Sequence, residues 1–164
     1  MATRIQNSLG QCVHNKGSKM EIKEGAYVLD LTREYYIFDI VPMGGVRMTK
    51  SDTWKLNPNH PDPLKRQRPA VTKYFAFKTL LLLQANQMEY TLGKHLEAVY
   101  LIPMPASWSN KKKERMNRLP CETKPDTDNI TKAVKDTLKK NDAEVWWEKA
   151  EKRWAYKGSI IIFN

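Results

Sequence analysis

Two aspartates and a lysine in the stretch KPDTDNITKAVKD are the residues whose types and spacing best support chemistry. Asp126 and Asp128 are separated by one residue, and Lys132 follows one helical turn later. Neighbouring carboxylates repel each other unless a cation, either a lysine or a divalent metal, stabilises them. Oxygen ligands suit Mg²⁺ or Mn²⁺, and Mg²⁺ commonly uses one or two carboxylates together with water and phosphate. The spacing therefore predicts a site for a divalent metal.

A simpler interpretation of the same residues is a capped helix. An aspartate at a helix start often caps the free backbone amides. Lys132 also stands four residues after Asp128, which is the spacing of an ordinary ion pair on a helix surface. The spacing of these residues alone leaves both interpretations open.

The residues after the acid pair have the pattern of an amphipathic helix over 128–140. Its apolar positions recur at helical spacing and predict one core-facing side, formed by Ile130, Ala133, Val134 and Leu138 with Thr137 beside them. A metal site of this kind needs another acid, and Asp142, just past the predicted helix end, is the best candidate. Asp136 and Glu144 are weaker candidates for the same role.

The net charge of +10, with 28 Lys and Arg against 18 Asp and Glu, favours nucleic acid as the partner. In a basic protein with a local acid pair, lysines would hold the polyanion and the acids a metal that assists phosphodiester cleavage. The candidate DNA-binding residues lie in a long basic loop over 44–69, in a second basic cluster, and beside the acids. They are Arg47, Lys50, Lys55, Lys65, Arg66, Arg68, Lys111, Lys112, Lys113 and Lys124. The alternative for both clusters is a solvated surface without a ligand.

The length of 164 residues fits one domain with its own core. Residues 1–24 are polar and predict an N-terminal extension, and residues 25–164 form the predicted domain. No run of about 18 apolar residues is present, which argues against a membrane span. The absence of an apolar signal region, and two distant cysteines without a CxxC pair, favour a cytoplasmic protein.

The order of the predicted elements indicates an α+β fold with a small mixed β-sheet packed by two longer helices. One or two strands end at Pro42, and a helix covers 70–89. The segment LEAVYLIPMP predicts a strand, and SWSNKKKERMNR a short basic helix capped by Ser107 or Ser109. After the helix over 128–140, the segments AEVWWEK, KRWAYK and GSIIIFN are strand-like.

The chain resembles the RusA family of Holliday junction resolvases, many of them carried by phages and prophages. KPDTDNITKAVKDTL is similar to the family signature K-P-D-x-D-N-x-x-K-A-x-x-D-x-L. The preceding LIPMPASWSNKKKERMNR has the family's strand, prolines and basic helix in the same order, and NDAEVWW resembles its D-D segment. VRMTKSDTWK and RPAVTKYFAFK resemble its basic loop and first helix. The resemblance runs from about residue 36 to residue 163.

The resemblance implies a Mg²⁺-dependent endodeoxyribonuclease that nicks four-way DNA junctions as a homodimer, with Mn²⁺ as the alternative ion. The family's metal-binding acids correspond to Asp126, Asp128 and Asp142, and the motif lysine needed for cleavage corresponds to Lys132. Asn129 matches the motif asparagine and is expected to be structural. No part of the sequence identifies the dimer interface, although the apolar helix around 74–85 is a candidate.

The main departure from the family pattern is Asn141, which stands where the first acid of the D-D pair is expected. It leaves open a junction-binding module of the same fold that does not cut DNA. A less selective nuclease for branched DNA is a third alternative. Cleavage and binding of a junction, compared across metals and substrates, distinguish the three.

Overall fold

The structure is a computed structural model and describes residues 5–6, 12–13, 33–54, 59–63 and 66–164. Its strands are β1 Ile5–Gln6, β2 Cys12–Val13, β3 Tyr35–Phe38, β4 His95–Pro103, β5 Trp147–Ala155 and β6 Ser159–Phe163. Its helices are α1 Lys50–Trp54, α2 Pro69–Gln87, α3 Asn110–Met116 and α4 Thr127–Leu138, with a short 3-10 helix, Asp142–Glu144.

The main sheet has four strands in the order β3-β6-β4-β5. β4 pairs with β5 in parallel, whereas β6 pairs antiparallel with both β3 and β4. Strands β3, β4 and β5 therefore end at the same edge, which we call the carboxyl edge of the sheet. The segments that follow these strands all start from this edge.

One face of the sheet packs against α2 and α4. The central strand β4 contributes Ala98, Tyr100 and Ile102 to this core, and β6 contributes Ile160 and Ile162. From the helices come Tyr74, Phe77, Leu81 and Ala85 of α2, and Ile130, Ala133 and Val134 of α4. β4 is also buried on its other face, because alternate residues such as Val99 and Leu101 belong to a second apolar cluster. A central strand buried on both faces accounts for the nearly continuous apolar run in its sequence.

The predicted α+β fold, with a mixed sheet and two longer helices, is confirmed. The predicted core face of α4 is also confirmed: Ile130, Ala133, Val134 and Thr137 are buried, and Leu138 is half-buried against the same core. Of the two predicted caps for the basic helix, Ser109 is correct, and its hydroxyl accepts a hydrogen bond from the backbone N–H of Lys112 at 3.3 Å.

Other predicted boundaries differ from the structure. AEVWWEK begins with the 3-10 helix rather than a strand, and its last three residues join KRWA in the single strand β5. The basic loop over 44–69 contains the short helix α1. Within the N-terminal extension over 1–24, only the antiparallel pair of β1 and β2 lies among the described residues, so its boundary stays a prediction. No helix in the described ranges is long and apolar enough to span a membrane.

Candidate active site

The acid pair lies at the start of α4. Asp126 is the N-cap residue, with extended backbone dihedrals (φ −68°, ψ 150°), and Asp128 is in the first helical turn. Both side chains are exposed. The carboxylate of Asp126 makes no capping hydrogen bond, although its carbonyl accepts from the amide of Ile130 at 3.1 Å. Asp126 thus has the position of a cap but not its side-chain contact, and the capping interpretation does not account for its carboxylate.

The ion-pair interpretation does not account for the acid pair either. Within the part of the chain that the structure describes, no hydrogen bond or salt bridge joins the side chains of Asp126, Asp128 or Lys132 to another residue. Further along α4, Lys135 pairs with Glu148 at 2.6 Å and Lys139 with Glu144 at 3.1 Å. The cations of the helix that do form ion pairs are therefore those furthest from the acid pair.

Asp142 lies at the opposite end of α4 from Asp126 and Asp128. The helix has 12 residues, which at a rise of 1.5 Å per residue separates its two ends by about 18 Å. The contacts of β5 agree with this separation. Glu148, near the start of β5, contacts Lys135 in the second half of α4, whereas Lys152, nearer the end of β5, contacts the residues before α4. Among the described residues, no group of three or more His, Cys, Asp or Glu could hold a metal ion. One chain therefore does not bring the three predicted acids together.

The first turn of α4 touches the segment that follows β3. The amide of Gly45 donates to the carbonyl of Asn129 at 3.2 Å, and the side-chain amide of Asn129 donates to the carbonyl of Gly45 at 3.4 Å. A Cβ atom on Gly44 would lie 2.7 Å from Asn129 Nδ2 and 3.0 Å from Pro125 Cβ. Glycine is therefore needed here because the two segments approach so closely. The expectation that Asn129 is structural agrees with these contacts.

An ion pair between a buried aspartate and an exposed arginine anchors the basic loop. Asp52 is buried and accepts hydrogen bonds from Arg68 Nε at 2.9 Å and Arg68 Nη2 at 2.6 Å, and from the backbone and hydroxyl of Thr49. The hydrogen bonds from Arg68, and next that from the Thr49 amide, hold the pKa of Asp52 well below its usual range. Arg68 Nη2 also donates to the carbonyl of Arg47 at 3.0 Å. The guanidinium of Arg68, predicted to bind DNA, is thus engaged in holding the loop.

The other predicted DNA-binding residues of the loop differ in their surroundings. Arg66 donates from Nε to the carbonyl of His60 at 2.6 Å, so it too holds the loop. Arg47 and Lys50 have exposed side chains. Lys55 and Lys65 lie outside the described residues. Arg47 and Lys50 are accessible to solvent, as the predicted DNA contacts require.

The second basic cluster lies on α3, which follows β4 at the carboxyl edge. Lys111 and Lys112 are exposed, and the Lys112 ammonium lies 4.1 Å from the centre of the Trp108 ring. Lys113 donates to the carbonyl of Ala106 at 3.4 Å. Trp108 packs against Trp154 with ring centres 5.0 Å apart, so it anchors the short helix. Lys124 is exposed and lies two residues before Asp126. The peptide bond between Lys124 and Pro125 is cis.

Lys152, which no sequence pattern singles out, contacts the segment that carries the acid pair. Its ammonium donates to the carbonyls of Thr123 and Pro125, which flank Lys124 directly before the acid pair. Lys152 and Pro125 are 27 positions apart in the sequence. In sequence, Lys152 is one of several lysines in a strand-like segment, and no local spacing distinguishes it.

An exposed acid pair and exposed cations on a basic α+β domain are typical of enzymes that act on nucleic acid. Residues 63–163 match the family model described as Endodeoxyribonuclease RusA. The match covers more than half of the chain, which therefore belongs to the RusA family of endodeoxyribonucleases. The resemblance predicted from the sequence is confirmed, although the match begins at residue 63 rather than near residue 36. No curated protein and no solved structure matches the chain.

The close approach of Gly44 to α4 gives a test of how the basic loop is held. Replacing Gly44 by alanine puts a Cβ atom within 3.0 Å of Pro125 Cβ, and overpacking of this kind costs about 1–3 kcal/mol. We expect G44A to lower the free energy of unfolding by that amount in urea denaturation, because either the loop or the first turn of α4 must move.

Gly93→Ala is the matched control, since a Cβ atom on Gly93 would meet nothing within 4 Å. G93A should leave the stability unchanged or raise it slightly by restricting the unfolded chain. Equal stability of the G44A and G93A proteins would contradict the packing described for Gly44 and Asn129.

Proposed function

We propose that this protein is a Mg²⁺-dependent endodeoxyribonuclease that nicks four-way DNA junctions, with Asp126 and Asp128 as the metal-binding acids. The observation that carries the proposal is the exposed acid pair itself. In a chain with a net charge of +10, neither carboxylate has a side-chain partner among the described residues. Uncompensated neighbouring carboxylates are a favourable place for a divalent cation.

The acid pair fits Mg²⁺ better than a metal that requires several protein ligands. Mg²⁺ usually keeps water molecules and takes one or two carboxylates together with oxygens of a phosphate. Two exposed carboxylates satisfy this requirement within one chain, and a further acid can come from a second copy. Mn²⁺ accepts the same oxygen ligands and is the alternative ion.

The other residues of the site act on the DNA itself. When bound, Mg²⁺ would polarise the phosphodiester and lower the pKa of a nucleophilic water. Lys132, exposed one turn after Asp128, would stabilise the negative charge that develops on the scissile phosphate. Arg47, Lys111 and Lys124 are exposed and would contact backbone phosphates, which positions DNA without reading its sequence.

A homodimer would suit the two-fold symmetry of a four-way junction. Helix α2 supports this part of the proposal, because it is apolar on the side that faces away from the core. Its exposed apolar side chains are Phe75 at 46%, Leu80 at 48%, Leu82 at 41% and Leu83 at 51%. Such a surface is typical of a protein–protein interface. Two copies would present two acid pairs for cuts in opposite strands.

Asp142 would take part in the metal site only in a dimer. Within one chain it lies beyond the far end of α4, so it would reach an acid pair only if that pair belongs to the second copy. In that arrangement each metal would be held by Asp126 and Asp128 of one copy and by Asp142 of the other.

Cleavage of a labelled four-way junction tests the proposed activity. We expect paired, Mg²⁺-dependent nicks on the junction and no cleavage of linear duplex DNA of the same sequence. Asp128→Asn should reduce the cleavage rate by at least about 100-fold, because it removes a carboxylate from the metal. It should leave metal-free junction binding unchanged, since Asp128 contacts no phosphate in the proposal.

Glu122→Gln is the matched control, because it removes one exposed acid four residues before Asp126. It should cleave like the wild type. Tight junction binding without cleavage in Mg²⁺ or Mn²⁺ would favour the non-cleaving module, and Asn141→Asp would then be the variant to examine. Cleavage of flaps and junctions at equal rates would favour the less selective nuclease.

A subunit-mixing experiment tests the proposed origin of Asp142. We expect D128N and D142N to be inactive alone, and their co-expressed mixture to recover nicking. A mixed dimer would have one intact site, and half of all dimers would be mixed, so roughly one quarter of wild-type nicking would return. If no nicking returned in the mixture, all the acids of a site would belong to one copy. Full activity of D142N alone would remove Asp142 from the site.

A further inference from the structure

Strand β5 of the sheet is bonded to the segment that carries the acid pair. We call residues 123–128, which lead into the first turn of α4, the acid turn. The Lys152 ammonium, on β5, donates to the carbonyl of Thr123 at 2.5 Å and to that of Pro125 at 2.7 Å. A charged donor forms stronger hydrogen bonds than a neutral one. The backbone directly before Asp126 is therefore fixed to a strand of the sheet by two such bonds.

A second contact comes from the neighbouring strand at the same level. Tyr100 of β4 pairs in register with Lys152 of β5, so both side chains extend from the same face of the sheet. The buried Tyr100 hydroxyl donates to Thr131 Oγ1 at 3.0 Å, and Thr131 Oγ1 donates to the carbonyl of Thr127 at 2.8 Å. Burial raises the pKa of Tyr100, so the phenol keeps the proton that it donates.

From these contacts we infer that Lys152 is a positioning residue for the acid pair. It sets where the Asp126 carboxylate lies relative to Asp128, and thereby how well the pair binds a divalent cation. This inference rests on the proposed function. The ammonium of Lys152 bonds backbone carbonyls rather than a carboxylate, so it orders the acid turn without neutralising the acids. Both carboxylates therefore stay available for the metal.

The position of Lys152 separates this role from general support of the fold. Helix α4 is attached to the core by Ile130, Ala133 and Val134, which are fully buried and do not depend on Lys152. The segment before the acid turn is separately attached to β5, where the Cys121 amide donates to the Lys152 carbonyl at 3.1 Å. Removal of the ammonium therefore frees the acid turn while the helix and the strand stay in place.

The test compares Lys152→Met with Lys149→Met. Methionine keeps an unbranched side chain and loses the ammonium, and Lys149 is an exposed lysine of the same strand that pairs with Glu97 at 3.1 Å. We expect K152M to weaken Mn²⁺ binding in calorimetry by about 10-fold, the effect of losing a residue that orients a metal ligand. The Mg²⁺ concentration for half-maximal junction cleavage should rise by the same factor. K149M should change neither.

Two readouts do not depend on activity. Amide hydrogen exchange at Ile130, whose N–H donates to the Asp126 carbonyl at 3.1 Å, should accelerate in K152M and not in K149M, because only K152M loses the two bonds that hold the acid turn. Junction affinity without metal should stay within about 2-fold of wild type for both variants, since the Lys152 ammonium faces carbonyls rather than phosphate. Lys152→Arg, which restores a charged donor, should recover part of the metal affinity.

The outcomes separate the inference from the proposed function. If the wild type cleaves junctions and K152M matches K149M in metal binding and exchange, the inference is wrong and the function stands. If the wild type neither binds Mn²⁺ nor cleaves, the proposed function fails, and the exchange of the Ile130 amide alone decides whether Lys152 holds the turn. Should K152M fail to fold, Thr131→Val removes the Tyr100 contact instead, and unchanged exchange of the Ile130 amide together with unchanged metal affinity in T131V would contradict the inference.

Discussion

The burial of one face of α4 is the constraint on which the candidate site depends. Ile130, Ala133 and Val134 are fully buried against the sheet, so the helix cannot rotate or slide without exposing apolar surface. Its first turn is thereby fixed at the level of Tyr100 and Lys152. The acid pair projects from the other side of this fixed turn, into solvent. Burial of one face of the helix thus determines the position of the acid pair on its exposed side.

The distribution of ion pairs distinguishes the acid pair from the acids that hold parts of the fold together. Asp52 is held by Arg68, Glu97 by Arg33 and Lys149, and Glu148 by Lys135. Asp126 and Asp128 have no such partner among the described residues, even though exposed cations lie on neighbouring segments. A protein cation close enough to pair with them would compete with a metal for the same oxygens. Their lack of partners is what the proposed metal site requires.

The sequence predicts the elements of the fold well because their signals are local. Periodic apolar residues identify the buried face of α4, and a serine before a basic helix identifies its cap. The Lys152 contact and the packing of Gly44 against Asn129 join distant parts of the chain, and no local pattern indicates them. The position of Asp142 is a different case. The predicted helix over 128–140 already implied a separation of about 20 Å between its ends. The number of residues between Asp128 and Asp142 shows this only when it is converted to a distance.

A crystal of the protein grown with Mn²⁺ would show, through the anomalous scattering of the ion, whether the acid pair binds a divalent metal. We expect a peak within coordination distance of both Asp126 and Asp128, at about 2.0–2.3 Å from their carboxylate oxygens. If a dimer is present, the same map would show whether Asp142 of the second copy reaches the peak. A Mn²⁺ peak elsewhere, with the two carboxylates bonded to protein cations instead, would contradict the proposed metal site.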